Sequence, residues 1–272
     1  MTLSMRRLRG HTLIELTIAV SLGLIVVAGA VSLYRSQRAA FAQAADAARI
    51  RDSGIAALSL LAAQVRMAGF TPAQVPPADV TAGLFGCSGA RVIGPADQPT
   101  CETLATRSDG LRVRYVGDTV STWMSADGRA TDCLGEGVDN DADSGDGSDD
   151  RPYASIVNGF YIKTGSTTGE PELYCEGNGP GFAQPLVEGI ERLRIRYWLR
   201  GAQSALEASA IARNQWSQVV AVDLCVLARG MPLGRRMRYV DCDDVAVMAA
   251  DTRARQPFWR RVAIRNQEEG AR

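Results

Sequence analysis

The chain has 272 residues, 46% of them apolar and 22% charged, a balance that fits a folded protein with a full core and excludes a disordered one. Its 30 basic and 30 acidic residues cancel, but Arg6, Arg7 and Arg9 fall in the first ten positions, so the remainder is net acidic and offers no basic footprint to nucleic acid. His11 is the only histidine; a histidine base, a Ser-His-Asp triad and a histidine-ligated zinc are excluded downstream, and the expectation is a non-enzymatic chain that requires no cofactor.

From Thr12 to Tyr34 the one charged residue is Glu15. That run is long enough to span a bilayer as a helix, and the arginines before it set the N-terminus in the cytoplasm. Ala28-Gly29-Ala30 has the A-x-A form of a signal-peptidase site, which would release a soluble periplasmic protein beginning at Val31. A plain membrane anchor is the second possibility. Both leave Glu15 unexplained, since a charge at the bilayer centre costs about 2.5–3.5 kcal/mol. The helical pattern also runs on past Tyr34. Phe41, Ala45, Ala48, Ile55, Leu58, Ala62 and Val65 recur at steps of three, four and seven, the stripe of an amphipathic helix. Gly69 is a natural cap, Pro72, Pro76 and Pro77 forbid resumption, and Gly54 is a weak point within. The spacing predicts one helix of about 55 residues, apolar over 11–34 and amphipathic over 35–70.

Beyond, over 71–272, the texture changes to short β-like runs between Gly, Pro, Asp and Ser clusters. LRVRYVG at 111–117 and IRYWL at 195–199 alternate, with Leu111, Val113 and Tyr115, then Ile195, Tyr197 and Leu199, each on one face. VVAVDLCVLA at 219–228 reads as a deeply buried central strand; SIVNGFYIK, ELYC, MRYVDC and WRRVAIRN are further candidates. Strands without alternating helices predict a mainly antiparallel sheet, with the amphipathic half of the helix packed on it, an α+β head. Cys87, Cys101, Cys133, Cys175, Cys225 and Cys242 contain no C-x-x-C, so an even set beyond an export-type segment reads as disulfides. Neighbours along the chain are expected to pair. Trp123, Trp198, Trp216 and Trp259 read as core or interface aromatics. Within an acidic loop over 135–150, Asp139, Asp141, Asp143, Asp146, Asp149 and Asp150 supply the oxygens that calcium takes. Glycine arrives one place late for an EF-hand loop, so the expectation is a free-standing calcium loop, set against a solvated acidic insertion.

GHTLIEL at 10–16 closely resembles the G-F-T-L-I-E-L processing motif of type IV pilins and pseudopilins, with His11 where phenylalanine is usual. The resemblance implies that residues 1–10 are a leader removed by a prepilin peptidase after Gly10, that His11 becomes a methylated N-terminus, and that the helix is retained. Glu15, then fifth in the mature chain, would neutralise a neighbouring subunit's N-terminal ammonium as helices pack in a filament. QVRMAGF at 64–70, LVEGIERLRIRYWL, WSQVVAVDLCVLARG and FWRRVAIRNQ resemble the segment order of PilW-type minor pilins. That family implies priming of pilus assembly at or near the tip, with other minor pilins, the major pilin, an inner-membrane assembly platform and a tip adhesin as partners. It implies a single-pass inner-membrane protein with a periplasmic head, later part of the filament. A J-type minor pseudopilin of type II secretion shares this architecture. From a different class, the alternative is a secreted or anchored calcium-dependent binding module.

Overall fold

A computed structural model of the chain describes residues 12–73, 82–118, 120, 122–139 and 153–265. Its first element is α1, Leu13–Met67, 55 residues long, as the alanine-rich, proline-free stretch dictates. The end is set by Gly69, whose φ of 70° only glycine adopts without strain. Its N–H donates to the Arg114 carbonyl at 2.9 Å, so the cap also ties the helix to a strand.

The chain forms two compact units that divide within α1, one ending at Asp46 and the other running from Ala47 to Arg272. The second unit is the head. Its strands are β1 (Leu84–Cys87), β2 (Ala90–Ile93), β3 (Thr100–Thr103), β4 (Gly110–Val116), β5 (Ser155–Thr164), β6 (Pro171–Glu176), β7 (Gln184–Glu188), β8 (Ile190–Leu199), β9 (Val219–Pro232), β10 (Arg238–Val240), β11 (Ala246–Met248) and β12 (Arg253–Ala263). They form a five-stranded sheet in the order β1-β4-β5-β6-β7, a three-stranded sheet β12-β9-β8, and the ribbons β2-β3 and β10-β11. Each of these pairings is antiparallel, as the alternating runs predict. VVAVDLCVLA lies in β9, the middle strand of its sheet.

One core joins the helix to both large sheets. Leu61 and Val65 of α1, Leu111 and Val113 of β4, Ile156 and Phe160 of β5, Leu193 and Ile195 of β8, and Leu224 and Val226 of β9 are all essentially without solvent contact. Each such side chain contributes about 1.5–3 kcal/mol on leaving water. The helical stripe differs in phase from the expected one. Leu58, Ala62 and Val65 are buried, but Phe41 is 76% exposed and Ile55 half exposed, and Ile50 and Ala57 are buried instead. Gly54 is itself buried. A Cβ there would lie 2.8 Å from Phe258 Cγ of β12 and closer still to other ring carbons. The missing side chain admits the ring, so the apparent weak point is a close contact between α1 and β12.

Two polar side chains inside this core, Asn158 and Asp109, are held by several hydrogen bonds each. Asn158 of β5 donates to Gln64 Oε1 at 2.8 Å and to Tyr115 Oη at 3.3 Å, and accepts the Cys133 N–H at 3.0 Å, which joins α1, β4 and β5 at one amide. Asp109 accepts N–H groups from Gly89 and Ile195, each at 2.8 Å, so one carboxylate links the β1–β2 turn to β8; burial pushes its carboxyl up. The tryptophans divide between core and surface. Trp216 alone is core, whereas Trp123 is 88% exposed and Trp259 nearly half exposed. Trp123 sits in the loop immediately before the Met124–Ala130 bridge, and its carbonyl accepts the Thr131 N–H at 3.0 Å.

Candidate assembly site

The apolar half of α1 begins with a defined cap. Thr12 precedes the first turn and its Oγ1 accepts the Glu15 N–H at 3.4 Å, satisfying a donor that the helix leaves open. Glu15 is in that first turn, where the positive end of the helix favours a carboxylate. The hydroxyls that follow are consumed within the helix: Thr17 donates to the Ile14 carbonyl at 2.8 Å and Ser21 to the Thr17 carbonyl at 2.7 Å. What remains on the surface is hydrocarbon, with Leu13, Ile14, Leu16, Ile18, Val20, Leu22, Leu24 and Ile25 all more than half exposed. A helix apolar on every side is stable only in lipid or inside a bundle. This one is long and apolar enough to cross a membrane; Leu13–Tyr34 spans about 33 Å against a bilayer core of about 30 Å. Gly10 and His11 lie outside the described residues.

Three disulfides brace the head. Cys87–Cys101 joins the end of β1 to β3, Cys133–Cys175 fastens the loop after residue 130 to β6, and Cys225–Cys242 pins the β10-β11 ribbon onto β9, with Cα–Cα separations of 5.7, 6.5 and 5.8 Å, within the span a disulfide accepts. These are the neighbour-to-neighbour pairs expected from the sequence. The ribbon is also held by charge: Asp243 lies 3.4 Å from Arg192, 3.1 Å from Arg194 and 3.6 Å from Arg196, the outward-facing row of β8. On the same face Arg261 pairs with Asp223 at 2.5 Å and stacks on Trp198, 4.4 Å from its ring centre. The Arg261 and Trp198 hydrogen bonds hold the Asp223 carboxyl below its ordinary range. Asp251, gripped by both Nη atoms of Arg255, is held well below it. Burial would raise Glu170, but Arg229 at 2.7 Å and Arg253 at 2.8 Å outweigh it and lower its carboxyl. Most of these arginines find their acidic partners in distant segments, Asp223 lying 38 positions from Arg261 and Glu170 lying 59 from Arg229, so the pairs are not legible in the sequence.

Asp139 pairs with Arg129 at 2.5 Å. Asp141, Asp143, Asp146, Asp149 and Asp150 lie outside the described residues. Among the described residues no three His, Cys, Asp or Glu side chains are placed to hold a metal.

Two family descriptions match the chain. Residues 5–31 match the prokaryotic N-terminal methylation motif, and residues 159–266, from β5 through β12, match the type IV pilus-assembly protein W family. Beyond the helix, the chain is thus similar to the type IV pilus-assembly protein W family. The PilW match falls on the last eight strands, and the methylation motif on the N-terminal residues and the apolar half of α1, so the two cover separate parts of the chain. Among solved structures it is similar to a type IV-like pilin from Thermus thermophilus, at 14% identity and a TM-score of 0.43, over 80% of this chain and 98% of that one. No curated protein matches it. The pilin family is structural and non-enzymatic, and the methylation motif with its apolar helix suits anchoring in the inner membrane.

Proposed function

We propose that this chain is a minor pilin of the PilW type that primes type IV pilus assembly and is carried at or near the filament tip. In this reading a prepilin peptidase cuts after Gly10 on the cytoplasmic side, His11 becomes the methylated N-terminus, and α1 holds the chain in the inner membrane until the assembly platform extracts it. Other minor pilins and the major pilin then replace lipid around the helix. Glu15 meets a neighbour's N-terminal ammonium, and that opposite charge offsets the cost of burying the carboxylate and sets the register between subunits. The observation that carries the reading is the exposed apolar half of α1 with a carboxylate in its first turn; the name of the matching family, a pilus-assembly protein, supports the priming role. The head, with a tip adhesin among its partners, confers specificity. The acidic stretch 139–150 takes calcium; isothermal titration of the head should give heat that D139A/D141A abolishes, and no heat at millimolar calcium refutes that part.

Deletion of the gene in its own host tests priming. Few or no pili by electron microscopy, and tip-restricted immunogold label in the complemented strain, are expected. Normal pilus numbers without the chain, or label along the whole shaft, would contradict the reading.

A further inference from the structure

The end of the hydrocarbon run and the two turns after it carry a pattern of their own. Tyr34, Arg38 and Phe41 of α1 follow at steps of four and three, so they share one face of the helix, and Arg35 lies one turn before Arg38. All four are exposed, Tyr34 by 64% and Phe41 by 76%, and all lie in the unit that ends at Asp46. No acidic residue falls between Glu15 and Asp46, so neither arginine has a carboxylate one helical turn away. Arg35, Arg38 and Phe41 stand about 2, about 6 and about 10 Å beyond Tyr34 along the helix axis. A bilayer of about 40–45 Å around a hydrocarbon core of about 30 Å leaves a headgroup layer of about 5–8 Å on each side. With Leu13–Tyr34 across the core, both arginines fall in that layer. The Cα–Cβ bonds of a helix tilt towards its N-terminus, so Arg35, Arg38 and Phe41 all lean back towards the bilayer.

We infer that Tyr34, Arg35, Arg38 and Phe41 form a collar that binds phospholipid headgroups at the end of the span nearer the head. The fork of a guanidinium takes two oxygens of a phosphate in parallel hydrogen bonds. Arginine buries its stem along the acyl boundary while its head stays with the phosphates, and tyrosine settles at the same level, ring inward and hydroxyl outward. Two observations choose lipid as the occupant. The face begins where the membrane-spanning run ends, so it continues a surface that lipid already covers, and its two unpaired positive charges complement a phosphate surface. The collar fixes how deep α1 sits, and its contacts must break when the chain leaves the bilayer. This inference rests on the apolar half of α1 spanning the membrane.

Native mass spectrometry of the full chain, purified in a neutral detergent and mixed with equal amounts of phosphatidylglycerol and phosphatidylcholine, tests it. Both lipids carry a phosphate, but the choline of the second competes for it, so a preference of about tenfold for phosphatidylglycerol is expected. Arg35→Gln/Arg38→Gln should lose that preference and Arg35→Lys/Arg38→Lys should keep part of it. Both arginines are exposed, so the variants should retain the wild-type circular dichroism spectrum. Flotation of the reconstituted chain with phosphatidylglycerol vesicles checks the span separately. A wild-type chain that does not float refutes the span and the collar with it. A chain that floats yet binds the two lipids equally, or a glutamine variant with the wild-type preference, overturns the collar alone. If the arginines are needed for recovery in sheared filaments but not for lipid preference, they serve a neighbouring subunit and the inference is likewise overturned.

Discussion

Glu15 puts an ionisable group into a segment that is otherwise hydrocarbon, and its position in the first turn of α1 keeps the cost of insertion below that at mid-bilayer. Glu15→Ala should therefore leave the chain in the membrane fraction while lowering its recovery in sheared filaments, both read by immunoblot; unchanged recovery would remove the assembly role. In the head the most demanding residue is Gly54. Gly54→Val should cost about 1–3 kcal/mol in urea denaturation of a fragment beginning at Arg35, because the new side chain meets the Phe258 ring. A loss near zero would mean the ring moves aside freely. Titration supplies a third test. The folded Asp251 carboxyl lies below its ordinary value of 3.8, so its bond with Arg255 stabilises fully above about pH 4 and is lost as pH falls through the folded value. The Tm gap between wild type and Asp251→Asn should be widest at neutral pH and close on acidification. Solvent screening damps it, since the Asp251 side chain is 39% exposed. A gap independent of pH would show that the bond does not act through this ionisation.

At the scale of elements, α1 was legible in length and end, because alanine content, Gly69 and the prolines act locally. The phase of its buried stripe was not. Periodicity ranks Phe41 and Ile55 as core, but the partner surface decides, and here that surface includes the Phe258 ring on a strand more than two hundred positions away. The short strands β1, β2, β3 and β7 escaped for a related reason: four or five residues carry too little alternation to read, and their pairing is imposed by β4 and β6. The disulfides make a quantitative contrast. Cys133–Cys175 closes a separation of 42 residues and Cys87–Cys101 one of 14. Restricting the longer loop should stabilise by about 1 kcal/mol more, so C133A/C175A is expected to lower stability further than C87A/C101A; the reverse order would point to unequal packing around the bridges.

For the molecule as a whole, the residues that specify the fold and those that specify its use are separate in sequence. The head core draws on α1 from Ile50 onward and on the strands, whereas the features proposed for assembly lie within GHTLIEL and the hydrocarbon run behind it. That separation is why the assembly segment was legible at once: its chemistry is local, a leader charge, a glycine, an acid and a run of apolar residues. The arginine–carboxylate pairs of the head were not, because Arg229 and Arg253 meet Glu170 across 59 and 83 positions. The central claim is that the helix is retained and begins at His11. Mass spectrometry of the N-terminal peptide, from protein recovered from membranes and filaments, tests it most directly. The account predicts a chain lacking residues 1–10 with N-methyl-His11 at its start; a chain starting at Val31 or retaining Met1 would contradict it.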